Sequence, residues 1–225
     1  MSWNKSINLQ DIKITDRLTK KLCIQFYTIG LVGIITPLTA SLFIKAIPFA
    51  LILSFVSTAL YHTGKINLKL IVAFTTVYLL SFIIEAIGVY SGQIFGNYKY
   101  SESLGFKLFD TPIIIGINWL FLVYSTAAIT EKLQTNVFFK IILASSAMLC
   151  YDLVLEQVAP KLNMWSWQNN MIPTQNYLAW FILAVIFHAF FKIMRIKIEN
   201  RLAATMLISQ FLFFLFIMIA HKLML

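Results

Sequence analysis

Residues 68–90 read LKLIVAFTTVYLLSFIIEAIGVY and carry only two charged side chains, Lys69 near the start and Glu85. An α-helix rises about 1.5 Å per residue, so this stretch is long enough to cross the roughly 30 Å hydrocarbon core of a bilayer. Comparable stretches recur along the 225-residue chain, which is 60% hydrophobic and only 12% charged. Soluble domains are more polar than this, so the composition predicts an all-α, polytopic integral membrane helix bundle.

Hydropathy along the chain predicts about seven transmembrane helices in a single transmembrane domain that covers residues 1–225. The expected bounds are Leu22–Ile44, Ala46–Tyr61, Leu68–Tyr90, Pro112–Ile129, Phe138–Val158, Asn176–Phe191 and Leu202–His221. Only Lys45 divides the first two spans, so the turn between them must be tight. Residues 1–21 form a polar, basic N-terminal segment that lacks the pattern of a secretory signal.

The positions of the basic residues indicate the orientation. With a cytoplasmic N-terminus, 13 of the 18 Lys and Arg residues lie in cytoplasmic segments. The other five are Lys45, Lys99, Lys107, Lys161 and Lys222. This positive-inside bias predicts a multi-pass protein of the plasma membrane, with the N-terminus in the cytoplasm and the C-terminus outside. Membrane orientation also accounts for the net charge of +9, so we expect no nucleic-acid partner.

Acidic and aromatic residues gather at the outer side of the predicted bundle. Glu85, Asp152 and Glu156 lie within spans at similar depth, and the last two share one helix face because they are four residues apart. Acidic groups at membrane depth are costly and usually serve a site inside the bundle, so these three are candidate catalytic residues. Polar and aromatic residues near them are candidates for substrate binding: Tyr98, Tyr100, Asp110, Asn118, Trp119, Trp165, Trp167, Asn176 and Trp180.

Some nearby residues have simpler structural explanations. Gly88, Gly92 and Gly96 show the small-xxx-small spacing that is typical of close helix packing. Asp110 lies at the start of the fourth predicted span and would equally serve as its cap. His188 is near the end of the sixth span and has no partners at metal-ligand spacing, so we expect it at the surface or the membrane interface.

Two ordered motifs resemble the signature of the membrane carotenoid hydratases. The first is EAIGVYSGQIFGNYKY at residues 85–100, followed by Leu104-Gly105, Pro112 and Trp119. The second is DLVLE at residues 152–156, followed by Trp165-Ser166-Trp167, Ile172-Pro173 and NYLAW at residues 176–180. The resembling region runs from about residue 85 to residue 181. The family includes bacterial γ-carotene 1′-hydratases and archaeal bisanhydrobacterioruberin hydratases.

The resemblance implies carotenoid biosynthesis by a hydro-lyase. Such an enzyme hydrates the terminal C=C of a linear carotene end to a tertiary alcohol, and it uses no cofactor and no metal. An acid protonates the alkene, aromatic faces stabilise the tertiary carbocation, and water adds while a base takes its proton. Asp152 is the expected proton donor, Glu85 or Glu156 the expected acceptor, and Asn118 or Asn176 the expected water-binding residue.

The partners implied by this resemblance are the lipid bilayer and a carotenoid substrate, and association with other enzymes of the carotenoid pathway stays open. A carotenoid cyclase, or another terpenoid-modifying membrane enzyme, remains an alternative, because cyclisation also begins by protonating an alkene. A non-enzymatic transporter is the other alternative, since intramembrane acids can carry protons. The chain has Glu156-Gln157 where family members often have Asp-Pro, which leaves the particular carotene open.

Overall fold

The computed structural model describes residues 9–223, with side chains from residue 16 onward, and this part of the chain contains eight α-helices. They are α1 (Leu9–Ile35), α2 (Pro37–Lys45), α3 (Ile47–Leu60), α4 (Leu68–Ser91), α5 (Ile114–Thr130), α6 (Val137–Val158), α7 (Thr174–Ile193) and α8 (Ala203–Leu223). Five of them, namely α1, α4, α6, α7 and α8, are long and apolar enough to cross a membrane. The predicted class, an all-α polytopic membrane bundle, is confirmed.

The bounds predicted for the first span are wrong, whereas those predicted for the second, Ala46–Tyr61, lie within one residue of α3 at each end. Helix α1 ends at Ile35, because Thr36 has the extended backbone (φ −77°, ψ 115°) that a following proline favours and Pro37 has no N–H group to donate. A second break at Ala46 separates α2 from α3, and the axes of these two helices differ by 57°. Residues 37–60 therefore form a bent pair instead of continuing the first span, and α1 itself begins within the segment predicted as polar and N-terminal.

Helix α5 is the centre of the bundle. It has 17 residues, somewhat fewer than the roughly 20 of a typical spanning helix, yet nearly all of its side chains are buried. It packs against α3, α4, α6, α7 and α8. The five long helices, the bent α2–α3 pair and α5 together account for the seven predicted apolar segments.

The two longest loops meet at one end of the bundle, which we call the loop end. Strand β1 (Tyr98–Tyr100) pairs antiparallel with β4 (Trp165–Trp167). Between them along the chain, β2 (Lys107–Leu108) and β3 (Thr111–Pro112) form a small hairpin. The prediction that both loops lie on the same side is confirmed, whereas the side of the membrane that they occupy stays a prediction.

The three glycines at residues 88–96 do not form a helix-packing stripe. Helix α4 ends at Ser91, and Gly92 (φ 64°) caps it in the left-handed conformation. Gly88 leaves room for Phe95, whose ring would lie 2.6 Å from an added Cβ, and Gly96 (φ 106°) approaches Pro173 equally closely. These glycines let the chain fold back from α4, so that β1 lies over the helix end.

Candidate active site

Glu85 on α4 is the acceptor in a set of three hydrogen bonds. Tyr98 and Tyr100 donate their phenol hydroxyls to its Oε2, at 2.6 and 2.9 Å. Trp119 donates its indole N–H to Oε1, at 2.9 Å. The side chain is only 4% exposed, so these bonds replace the water that the carboxyl group loses on burial.

Glu156 on α6 has a similar environment. Trp165 and Trp167 donate their indole N–H groups to its Oε2, at 3.0 and 2.6 Å. Asn176, in the first turn of α7, donates through Nδ2 to Oε1 at 3.2 Å. All partners of this buried carboxyl group are neutral, as they are at Glu85.

The β1–β4 pairing explains why these donors converge. Successive strand residues point to opposite faces, so the alternate aromatic residues of both strands point inward, while Lys99 and Ser166 between them lie on the other face. Tyr98 is opposite Trp167, with ring centroids 5.0 Å apart, and Tyr100 is opposite Trp165, at 5.9 Å. We call these four inward side chains the aromatic cover: Tyr98, Tyr100, Trp165 and Trp167.

The phenols of the aromatic cover stay protonated at neutral pH. Burial, together with the nearby charge of Glu85, raises the pKa of Tyr98 and of Tyr100 well above the usual range for a phenol. Both hydroxyls therefore keep at neutral pH the protons that they donate in hydrogen bonds to Glu85.

Asp152 lies one helical turn before Glu156 and is completely buried. The same Asn176 nitrogen that bonds Glu156 also donates to Asp152 Oδ2, at 3.1 Å, so the two carboxyl groups are near neighbours. The other oxygen, Oδ1, has no hydrogen-bond partner among the described residues 16–223. Asp152 is thus the least satisfied of the three acids.

A cavity of about 20 Å³ lies between Glu85 and Glu156, a volume that suits roughly one water molecule. Asn118 and Asn176 contribute to its wall, whereas Asp152 does not. The Oδ1 atom of Asn118 is buried and finds no partner within the described part of the chain. The remaining wall is apolar and aromatic, formed by the aromatic cover with Phe95, Ile115, Trp119, Leu155 and Trp180.

Trp180 fixes the position of Trp119. Their rings stack with centroids 4.1 Å apart and an interplanar angle of 24°. This contact holds the Trp119 indole in the orientation in which it donates to Glu85. The contact therefore joins α7 to α5 within the site.

The structure brings together all of the predicted site residues except Asp110. This residue is exposed and follows Phe109 in the turn between β2 and β3, where both have positive φ values of 58° and 53°. Two consecutive residues with positive φ are typical of a tight hairpin turn, in which Asp is well tolerated. Asp110 does not cap α5, because β3 separates the two and the helix starts only at Ile114.

The sequence analysis also missed residues. Phe95 and Leu155 line the cavity, and the spacing of Leu155 from Asp152 already indicates a shared helix face. His188 was expected at the surface, but it is 2% exposed and lies within 2.9 Å of the Thr126 hydroxyl. No group of three or more His, Cys, Asp or Glu side chains in the described residues is arranged to hold a metal ion.

Residues 46–225 match the family of carotenoid biosynthesis proteins. The chain belongs to this family. The match includes every residue of the site described above, and it supports a role in carotenoid biosynthesis. Comparison with curated proteins and with solved structures found no match.

The chemistry available in this carotenoid biosynthesis protein is acid–base chemistry in an apolar setting. Three carboxyl groups provide sites for protons, and aromatic rings provide faces that attract a cation. The residues lie inside a bundle whose outward surface is apolar along the long helices, which suits a reactant that arrives from lipid.

Proposed function

We propose that this carotenoid biosynthesis protein is a hydro-lyase that adds water to the terminal C=C of a linear carotene end and produces a tertiary alcohol. The observation that carries the proposal is the cavity between Glu85 and Glu156. It combines carboxyl groups, cation-attracting rings and a volume suited to about one water molecule.

In this proposal the proton donor is Glu156, in place of the Asp152 that the sequence analysis expects. Two neighbouring carboxyl groups tend to hold one proton between them, and Asn176 keeps Asp152 and Glu156 together. Of the two, only Glu156 lines the cavity. Glu156 therefore delivers the proton to the alkene, and Asp152, outside the cavity wall, shares that proton with it. The alkene π electrons form the new C–H bond, and the positive charge remains on the carbon that bears the methyl groups.

The cation forms beside the aromatic cover and Glu85. Indole and phenol faces stabilise a cation at a desolvated site by about 2 kcal/mol. A water molecule that donates a hydrogen bond to Asn118 Oδ1, which has no partner among residues 16–223, uses a lone pair to form the C–O bond. A carboxylate has about four acceptor positions and Glu85 uses three, so it has room to accept the proton that the water loses. A later water molecule returns that proton to the Asp152–Glu156 pair.

Product mass tests this proposal against its nearest alternative. Purified protein in lipid vesicles would receive a linear carotene, and the pigments would be analysed by mass spectrometry. We expect a product heavier by one water molecule. An isomer of unchanged mass would indicate a cyclase, which uses the same first protonation step, and it would overturn the hydratase assignment.

We further propose that the protein lies in the plasma membrane with its loop end outside and its N-terminus in the cytoplasm. The support is the distribution of Lys and Arg described above. In a chain without Cys23 and Cys150, Asn169→Cys should react with an impermeant thiol reagent added to whole cells, whereas Gln134→Cys should not. The reverse pattern would invert the orientation.

A further inference from the structure

A groove of about 1130 Å³ runs along α4 beside the candidate active site. Its α4 wall is apolar and includes Phe82, Ile83, Ala86 and Ile87. Ile83 and Ile87 are 47% and 51% exposed within a helix long enough to span the membrane. The groove therefore faces the hydrocarbon of the bilayer along most of this wall.

The groove and the buried cavity are separated by a single layer of side chains. Tyr98, Tyr100 and Trp167 line both spaces. These residues belong to the aromatic cover, and their polar atoms bind Glu85 or Glu156. Any molecule in the groove would contact the same side chains that close the active site.

The end of the groove near the loops is polar. Lys99, Lys107 and Asp110 line it there, and Lys107 is held by hydrogen bonds to the Tyr100 carbonyl at 3.0 Å and to Glu102 at 2.9 Å. An apolar chain is excluded from this polar end and accepted along α4. An occupant would accordingly extend from the aromatic cover toward the middle of the bilayer.

We propose that this groove binds the polyene chain of an acyclic carotene, and that the reacting end enters the cavity from the groove between Tyr98 and Trp167. This inference rests on the proposed function. A carotene dissolves in the hydrocarbon of the bilayer, so a lateral entrance spares it a passage through water. A cavity with room for about one water molecule does not hold an isoprene unit, so side chains of the aromatic cover must move to admit it.

Movement of Tyr98 would also free an acceptor position on Glu85. In the closed site the Tyr98 hydroxyl occupies Oε2 at 2.6 Å. When the substrate displaces this ring, Glu85 loses one donor and gains an acceptor position for the attacking water. The groove admits one end of the polyene at a time, while the rest of the molecule stays in the bilayer.

Two variants at the groove and one matched control test the inference. Ala86→Trp and Ile83→Trp place an indole in the groove, whereas Ala147→Trp places one on the exposed face of α6, outside the groove. Each purified protein would be measured for the amount of linear carotene that it retains and, in vesicles, for kcat and KM. Gel filtration in detergent would verify that all are folded.

We expect Ala86→Trp and Ile83→Trp to lower carotene retention and kcat/KM by about tenfold, mainly through KM because the carboxyl groups are untouched. Ala147→Trp should match the wild type. If carotene retention and KM were unchanged in both folded groove variants, the proposal that the groove binds the polyene would be overturned. The hydratase proposal would remain intact. If the wild type retained carotene at the groove but never hydrated it, the proposed function would fail instead.

Discussion

Acidic groups at the two ends of the bundle have opposite surroundings. At the end away from the loops, Glu131 forms ion pairs with Lys140, at 3.3 Å, and with Lys192. At the loop end, Glu85 and Glu156 accept hydrogen bonds from neutral phenol, indole and amide groups. Within residues 16–223, no Lys or Arg forms an ion pair with any of the three site acids.

This difference supports our proposal that Glu131 has a structural role and that the acids at the loop end have a chemical one. A lysine partner neutralises a carboxylate and holds two elements together, with a modest gain in stability. Neutral donors keep a carboxyl group satisfied without placing a positive charge nearby. A carbocation beside Glu85 would be repelled by a lysine but is attracted by carboxylates and ring faces. The loop end is therefore suited to a reaction that passes through a cation.

The largest expected effect is the loss of activity in Glu156→Gln. The amide keeps an acceptor oxygen for the two indoles but cannot deliver a proton, so kcat should fall by about 10²–10⁴-fold. Glu131→Gln makes the same change at the other end of the bundle and should leave kcat close to that of the wild type. Both rates would be measured as product formation in vesicles. Equal kcat values for Glu156→Gln and Glu131→Gln would show that the acids at the two ends of the bundle do not differ in their roles.

Asp152→Asn should reduce kcat by about 10²-fold, because the pair would lose the second carboxyl group that helps to hold the proton. Asp16→Asn is the matched control: Asp16 bonds Arg201, at 3.4 Å, far along the chain from the site. We expect no change of kcat in that control. Full activity in folded Asp152→Asn would eliminate the role that we give to Asp152.

A smaller effect is expected at the aromatic cover. Trp165→Ala should lower kcat by about tenfold, which corresponds to about 1–2 kcal/mol of cation–π stabilisation. Trp165→Phe also lacks the N–H donor to Glu156 but retains a ring face, so it should keep most of the activity. If both variants were equally impaired, the hydrogen bond to Glu156, and not the ring face, would be the contribution of Trp165.

Much of the bundle can be predicted because a spanning helix requires a long apolar stretch, and α4, α6, α7 and α8 lie within a few residues of their expected bounds. The break after Ile35 cannot be seen in hydropathy, since apolar residues predominate on both sides of Pro37. Prolines do occur inside transmembrane helices, so Pro37 alone does not determine whether the helix ends there.

The members of the site can be predicted better than their contacts. Acids within apolar spans stand out, and the spacing of Asp152 and Glu156 determines that they share a face. Strands of three residues are too short for a period-two pattern to be recognised. The pairing of Tyr98 with Trp167 joins loops that are distant in the chain, so the donors to each acid follow from tertiary packing alone.

The central claim is that water itself becomes the hydroxyl group of the product. It is tested most directly by incubating the purified protein with a linear carotene in ¹⁸O-labelled water under anaerobic conditions and measuring the isotope in the product by mass spectrometry. We predict that the reaction proceeds without O₂ and that the tertiary hydroxyl carries ¹⁸O. Loss of product under anaerobic conditions, or an unlabelled hydroxyl formed only when O₂ is present, would contradict hydration and indicate an oxygenase.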